Sequence, residues 1–378
     1  MPRQKKSILI ISSEFPPDPG GIGNHAYNLA LGFVAEDFIV TVVADINSTT
    51  PDELKAFGSK QPFKFKPIMR KKTPFVTYAN RLVSSVLAVR NNNYIICSGK
   101  FSLWQVSLLK VLYPIKKYIA VVHGTELDLK GRYAKKLTGF SLNRFNAVVA
   151  VSLYTKSFLP LQVKQKKQVA IIPNGINNIE FQAALLNKPG FVISPETSLP
   201  VITIGNVTER KGQENVIRAL PALIAAFPRI HYHIAGRPTC KERLLKIAAS
   251  LGVTEYITFH GMLPRQELIN LISRCAVKFM LSNHTKDGDF EGFGIAILEA
   301  NALGIPAIGS NFGGITDAID NNASGKLVDV NNSQDITSAL QEITGAYNYY
   351  SANALQWARQ HDWSILIKKY ITVLDAVS

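Results

Sequence analysis

Short runs rich in β-branched residues alternate with segments of helix length along the whole chain, in two successive sets. The first set is Ile8 to Ser12, Ile39 to Ala44, Tyr94 to Cys97, Tyr118 to Val122, Ala147 to Val151 and Val169 to Ile172. The second is Val201 to Ile204, His231 to Ala235, Ile257 to Phe259, Ala276 to Leu281, Pro306 to Ile308 and Lys326 to Val328. Successive parallel strands need a crossover, so this alternation predicts α/β architecture with parallel sheets wrapped by helices. A chain of 378 residues is long enough for two such domains, each with its own core. Pro173-Asn174-Gly175 breaks the chain after the first set, and the loosely patterned stretch 181–199, with Pro189, Gly190 and Pro195, reads as the connection. The expected division is therefore residues 1–190, residues 191–355 and closing helices over 356–378. In open parallel sheets ligands bind beyond the carboxyl ends of the strands, so two domains facing each other would enclose a cleft lined by post-strand loops.

Composition narrows the class. Arg3, Lys5 and Lys6 precede Ile8 to Ile11 as in a secretory leader, but Ser12, Ser13 and Glu14 stop the apolar run after four residues, which suits a first strand. No stretch approaches the roughly 18 apolar residues of a membrane span. Cys97, Cys240 and Cys275 are far apart, odd in number and without metal-type spacing, so they read as core thiols of a cytoplasmic protein. The net charge of +15 is unevenly placed: residues 1–190 hold 26 Lys and Arg against 10 acids, and residues 191–378 hold 16 against 17. Lys64, Lys66, Arg70, Lys71 and Lys72, followed by Phe75, Tyr78 and Leu82 to Val89, form a basic and apolar stretch suited to an anionic membrane surface or to a solvated basic face. No nucleic-acid recognition motif accompanies this charge, so no nucleic-acid partner is expected.

Two stretches carry chemistry. After the strand Ala276 to Leu281 comes a polar loop and then Glu291-Gly292-Phe293-Gly294-Ile295-Ala296-Ile297-Leu298-Glu299. The glycines let backbone approach a ligand, and the helix that follows directs free N–H groups at an anion, as a diphosphate would supply. Glu291 at the helix mouth and Glu299 further in are natural partners for hydroxyl groups. The second stretch, Val201 to Gly212, is a strand running into a loop bounded by Gly205 and Gly212 that carries Arg210 and Lys211. Such cations hold phosphate oxygens, Arg by a planar fork and Lys as a point charge. Together the stretches describe a site for a phosphorylated, hydroxyl-rich ligand.

With these motifs the chain resembles the GT-B retaining glycosyltransferases of family 4, also called glycosyl transferases group 1. The resemblance rests on Glu14-Phe-Pro-Pro-Asp-Pro-Gly-Gly21, His123-Gly-Thr-Glu126, Pro173-Asn-Gly175, the Gly205 to Gly212 loop, the paired acids and Asn311-Phe-Gly-Gly314. It implies two Rossmann-like domains, acceptor-side then donor-side, with the closing helices crossing back to the first. It also implies a nucleotide-diphosphate sugar as co-substrate, a hydroxyl acceptor such as a lipid-linked glycan, no resident cofactor and no metal. By position, Gly20 and Gly21 would approach the donor phosphate and the acceptor, and His123 would lie near the transferred sugar. Lys211 would grip the diphosphate, Glu291 the sugar hydroxyls and Glu299 the ribose, with Gly292, Phe293 and Gly294 as the donor-facing turn. The family usually has Arg directly after the first glycine of the phosphate loop, where this chain has Asn206; Arg210 is the candidate substitute.

Other readings compete. Gly21-Ile-Gly23-Asn-His-Ala26 with Asp45 matches a dinucleotide fingerprint, but the glycines follow the first strand only after eight residues, whereas that site needs an immediate tight turn. Asp287-Gly288-Asp289 matches a metal-binding pair of other folds, yet here it reads as solvated acids in a polar loop. His25, His231, His233 and His260 suit packing as well as ligand binding. A sugar-nucleotide epimerase or a non-catalytic sugar-nucleotide-binding partner would share most of these motifs.

Overall fold

The computed structural model describes residues 6–18, 20–47, 49–70, 73–127, 129, 131–188, 198–284 and 290–378. Arg3, Lys5, Pro19, Lys71, Lys72, the Asp287-Gly288-Asp289 stretch and the Pro- and Gly-bearing stretch 189–197 lie outside the described residues. The chain forms two units, one of Met1–Asn174 with Trp363–Ser378 and one of Gly175–Asp362.

The first unit is built on seven parallel strands: β1 (Ser7–Ser12), β2 (Ile39–Ile46), β3 (Lys64–Met69), β4 (Tyr94–Ser98), β5 (Lys117–Val122), β6 (Ala147–Ala150) and β7 (Gln168–Ile171). Their order across the sheet is β3-β2-β1-β4-β5-β6-β7. Central strands such as β1 are buried on both faces, which is why they read as unbroken apolar runs. β3, Lys-Phe-Lys-Pro-Ile-Met, has no such run and falls on stretches read above as a basic patch. It is an edge strand, where lysines and a proline are tolerated because one side of the backbone has no partner to satisfy. The basic patch is accordingly divided: Lys64 and Lys66 stand on this edge, while Arg70 turns inward to Asp45 at 3.6 Å and to the Ser13 carbonyl at 3.3 Å.

The second unit carries six parallel strands: β8 (Leu199–Ile204), β9 (Ile230–Ala235), β10 (Ile257–Gly261), β11 (Val277–Met280), β12 (Ala307–Ser310) and β13 (Gly325–Val328). Their order is β10-β9-β8-β11-β12-β13. In both units the chain starts in the middle, winds to one edge, then returns to lay its fourth strand on the other side of the first. The direction of winding reverses between β1 and β4, and again between β8 and β11. These switch points open a crevice at the strand carboxyl ends, where α/β sheets bind ligands.

The unit boundaries differ from the sequence expectation of 190/191 and 355/356. Helix Ile179–Leu186 packs on helix Arg265–Ser273 of the second unit, and Asn178 is tied there through N–H and Nδ2 bonds to Asp362 at 3.0 and 2.8 Å. Helix Tyr347–Gln360 packs on helix Ile295–Asn301, so only Trp363 onward returns to the first unit. There helix Trp363–Ala376 lies against helix Gly21–Ala35, with Lys6 reaching Asp375 at 2.8 Å.

Candidate active site

In the second unit the two loops on either side of the switch point deliver one charged cluster. After β8 the chain makes a short 3-10 turn, Glu209–Lys211, and ends it on Gly212. Gly212 has φ +72°, and a Cβ there would lie 1.7 Å from the Leu281 carbonyl oxygen, so only glycine lets this loop press against the end of β11. Asn215 fixes the contact by donating to the Leu281 carbonyl and to Asn283, each at 2.8 Å. The Asn283 backbone N–H donates to the Arg210 carbonyl at 2.8 Å. Held in this way, Lys211 Nζ donates to Glu291 Oε2 at 2.7 Å, and Arg210 pairs with the same oxygen. Burial alone would push the Glu291 carboxyl up, but Lys211 and Arg210 beside it bring it below the usual carboxylate range. The side chains of Arg210, Lys211 and Glu291 are 24%, 16% and 14% exposed, so the cluster is accessible yet mostly shielded from water.

The other donor-side candidates are placed less uniformly. Gly294, φ +103°, caps helix Ile295–Asn301, so Glu291 stands in the loop four residues before the helix and not at its mouth. The Gly292 carbonyl lies against Gly314, where a Cβ would come within 2.0 Å, and the Gly314 N–H donates to the Glu291 carbonyl at 2.9 Å. Phe293, expected to face the donor, turns its ring inward: it is 1% exposed and 6.1 Å from the His361 ring, because the apolar interior under the loop outcompetes a polar ligand for that side chain. Glu299 does not stand alone. Arg265 Nη1 donates to it at 2.6 Å while the other side of the same guanidinium grips Glu180 through two bonds of 2.7 and 2.8 Å.

The sequence reading missed Lys278. It sits on β11 at a position where apolar residues surround it, is fully buried, and donates to the Phe279 carbonyl at 2.9 Å. Burial, helped by the charge of Lys211 and opposed by Glu299 and Glu291, lowers its pKa to about 7. The signal was available: a lysine at the centre of Ala276 to Leu281 interrupts a strand that must be buried on both faces.

In the first unit the loop after β1 leads over Gly20 into helix Gly21–Ala35. A Cβ on Gly20 would meet Glu14 Oε2 at 2.2 Å, so this glycine is where the Glu14 carboxyl passes the backbone; Gly21 has open space around its Cα. Burial raises the Glu14 pKa, against the lowering effect of Arg70. His123 follows β5, and its Nε2 meets Ser98 Oγ at 2.9 Å. Its backbone N–H donates to Glu126 Oε1 at 2.7 Å. Burial lowers the His123 pKa to about 4, which makes it a neutral imidazole at neutral pH. His25 packs edge-on at 4.9 Å from His123 and 5.1 Å from Trp363, and its Nε2 meets the Tyr370 hydroxyl at 3.0 Å. It is a buried packing histidine. Its partners Trp363 and Tyr370 come from the last helix, more than 300 residues away, which no local pattern announces.

The dinucleotide reading fails here on geometry. Asp45, which would have to meet a ribose, is 1% exposed and locked by Arg81, whose Nε donates to it at 2.9 Å. Three histidines of the second unit are also engaged: His233 Nδ1 meets His260 Nε2 at 3.0 Å, and His231 Nε2 meets Thr258 Oγ1 at 2.8 Å, between β9 and the edge strand β10.

Comparison with known proteins agrees with both halves. Residues 189–351 match the family described as Glycosyl transferases group 1, and residues 19–178 match Glycosyltransferase Family 4. The chain is 25% identical over 356 residues, 89% of its length and 88% of the relative's, to the GDP-mannose-dependent alpha-(1-6)-phosphatidylinositol monomannoside mannosyltransferase of Mycolicibacterium smegmatis. It is likewise 25% identical over 359 residues, 89% of this chain and 88% of the relative, to the GDP-mannose-dependent monoacylated alpha-(1-6)-phosphatidylinositol monomannoside mannosyltransferase of Corynebacterium glutamicum. Among solved structures, Anabaena Alr3699/HepE in complex with UDP and glucose superposes with a TM-score of 0.76 at 15% identity, covering 98% of this chain and 100% of that one.

Proposed function

Since the chain belongs to glycosyltransferase family 4 and has the GT-B fold, we propose that it moves a sugar from a nucleotide-diphosphate sugar to a hydroxyl acceptor, with retention at the anomeric carbon. The observation that carries this reading is the convergence of Arg210, Lys211 and Glu291 from the loops after β8 and β11. Two fixed cations suit a diphosphate, and the carboxylate between them suits the hydroxyls of the attached sugar. When the donor enters, its phosphate oxygens take over Lys211 and Arg210, and Glu291 is freed toward the sugar. Arg210 thereby does the work of the arginine that the family usually carries at the place of Asn206. Arg265, by gripping Glu299 against Glu180, sets the orientation of the carboxylate that the resemblance assigns to the ribose.

In the reaction the bond from the anomeric carbon to the diphosphate breaks and the bond from that carbon to the acceptor oxygen forms on the same face. The acceptor proton passes to the departing phosphate oxygen, so no protein nucleophile is needed. Lys211 and Arg210 balance the charge that builds on the leaving diphosphate, a fixed electrostatic contribution of the oxyanion-hole kind, and we read the transfer as independent of divalent metal. His123, held neutral by burial at neutral pH, is suited to hydrogen bonding and not to work as a titrating acid. The acceptor class that fits best is a glycolipid or growing glycan, in line with the phosphatidylinositol mannoside acceptors in the names of the two relatives.

The test is a thermal-shift screen with GDP-mannose, UDP-glucose and other nucleotide sugars, with NAD as the contrast. A ligand that binds only the folded state raises stability by about 2.7 kcal/mol at a hundred times its Kd. One sugar nucleotide should raise the melting temperature, and incubation with it and a lipid-linked acceptor should give a glycosylated product with retained anomeric configuration, unaffected by EDTA. A shift with NAD alone, or an epimerised nucleotide as sole product, would overturn the reading.

A further inference from the structure

Between Glu53 and Glu180 the sequence carries 22 Lys and Arg, and only two acids, Glu126 and Asp128. Three helices of the first unit fall in this interval, Pro74–Val89, Lys100–Leu112 and Arg132–Leu142, and none contains an Asp or Glu. They lie side by side over one face of the first sheet. Their inner sides fill its core through Val89, Leu103, Val106, Leu109 and Leu142, packed with Leu9, Ile11 and Ile95. Trp104 Nε1 to Thr138 Oγ1 at 2.9 Å fastens the second helix to the third.

With one side buried, the outer sides of such helices should be polar. They are not. On the third helix Tyr133, Leu137 and Phe140, spaced i, i+4, i+7, form an outward stripe, 89%, 40% and 53% exposed. On the second, Leu108, Val111 and Leu112 face outward, continued by Ile115 just beyond the helix end; on the first, Val83 and Leu87 do so. Cations flank the stripe on the third helix: Arg132, Lys135 and Lys136 are exposed, and the Arg144 guanidinium lies 4.7 Å over the Phe140 ring. An apolar surface on adjacent helices marks a contact site, and an acid-free cationic surround restricts the partner to an anionic one. Nucleic acid would take the charges but has no use for exposed Leu, Val and Ile side chains. A bilayer uses both: phosphate headgroups meet the cations and the acyl boundary receives the apolar side chains.

We propose that the outer face of helices Pro74–Val89, Lys100–Leu112 and Arg132–Leu142 docks on an anionic lipid bilayer, with the Tyr133, Leu137 and Phe140 stripe entering the headgroup boundary. This deepens the reading of a lipid-borne acceptor, on which it rests, by naming the surface that brings the enzyme to it. It also moves the contact away from the Lys64 to Lys72 stretch.

The test is co-sedimentation of the full chain with vesicles of equal parts phosphatidylglycerol and phosphatidylcholine, against phosphatidylcholine alone. Binding is expected only to the anionic vesicles and should weaken as salt rises. The Tyr133→Ser, Phe140→Ser double variant should lower partitioning about tenfold or more, because two aromatic side chains no longer leave water. The Lys135→Glu, Lys136→Glu variant should lower it by a similar factor. Ile365→Ser, which alters an exposed side chain of the last helix, should bind like the parent. Equal binding to both vesicle types, stripe variants that bind as well as the parent, or a dimer in solution that covers Tyr133 and Phe140 would overturn the proposal. The donor-induced melting shift, measured without vesicles, is unaffected by these outcomes, so failure of the docking face and failure of the transferase reading are told apart.

Discussion

Single residues decide the chemistry, and three of them give sharp expectations. Removing Lys211 takes away a cation that would stabilise the leaving diphosphate and leaves Glu291 with Arg210 alone. Lys211→Ala should therefore reduce kcat by about 10²- to 10³-fold, read by steady-state transfer assays, with the fold intact by circular dichroism. His123 is held neutral by burial down to about pH 4. The pH–rate profile between about pH 5.5 and 8 should then show no step that disappears in His123→Ala, even though that variant should lose most of its turnover; undiminished turnover would remove His123 from the site. Lys278 supplies a stability test. Its pKa is about 7 in the folded chain against an ordinary value of 10.5, so between these values the unfolded chain binds a proton that the folded chain does not. Stability must rise with pH across that window, by at most roughly 1.4 kcal/mol per pH unit from this group. Below pH 7 the buried ammonium exerts its full cost. Lys278→Met should thus raise the melting temperature most at pH 6 and progressively less toward pH 10, as calorimetry at several pH values would show. A gain that grows with pH would contradict the assignment.

At the scale of elements, function depends on loops that follow strands and on how firmly neighbouring loops are clamped. The Gly205 to Gly212 loop and the start of the Glu291 loop are joined by Asn215, Asn283 and the close passage of Gly212 under the Leu281 carbonyl. Gly212→Ala places a Cβ into that carbonyl at a positive φ, so the loop must move. The expected cost is about 1–3 kcal/mol of strain together with a loss of donor-induced stabilisation, both visible in the thermal-shift screen. Much at this scale was legible beforehand. Every strand of the second unit, and all but one of the first, overlaps a segment that the sequence predicts as a strand. The exception, β3, was hidden because an edge strand is not obliged to be apolar or free of proline. The meeting of Arg210, Lys211 and Glu291 was equally legible, since glycine-bounded loops after adjacent buried strands bring their charges to the same end of the sheet. What local pattern did not reveal was the direction of each side chain: Phe293 inward to His361, Glu299 onto Arg265, Arg70 onto Asp45. Those directions follow from contacts between segments tens of residues apart.

At the scale of the whole molecule, the last sixteen residues belong by packing to a unit that otherwise ends at Asn174. Helix Trp363–Ala376 seals helix Gly21–Ala35 through Trp363 and Tyr370 on His25, and through Ile367 against Gly32, where a Cβ would come within 3.1 Å. Removing residues 363–378 should therefore raise hydrogen exchange in β1 and helix Gly21–Ala35 while leaving β8 to β13 protected, as mass spectrometry of peptic fragments can show. The sequence by itself determined the class of fold, the number of sheets and which charged loop residues, Arg210, Lys211 and Glu291, stand after the strands that bring them together. Periodicity, glycine placement and charge are local properties, and a parallel sheet binds ligands at its strand ends whatever else is attached. Only the tertiary structure decided where the units divide, that Lys278 lies under the donor-side charges, that His25 and His123 share a pocket closed by Trp363, and that three acid-free helices keep apolar stripes on their outer face. Each of these depends on which distant surfaces exclude water together, and burial of that kind is written in no single segment of the chain.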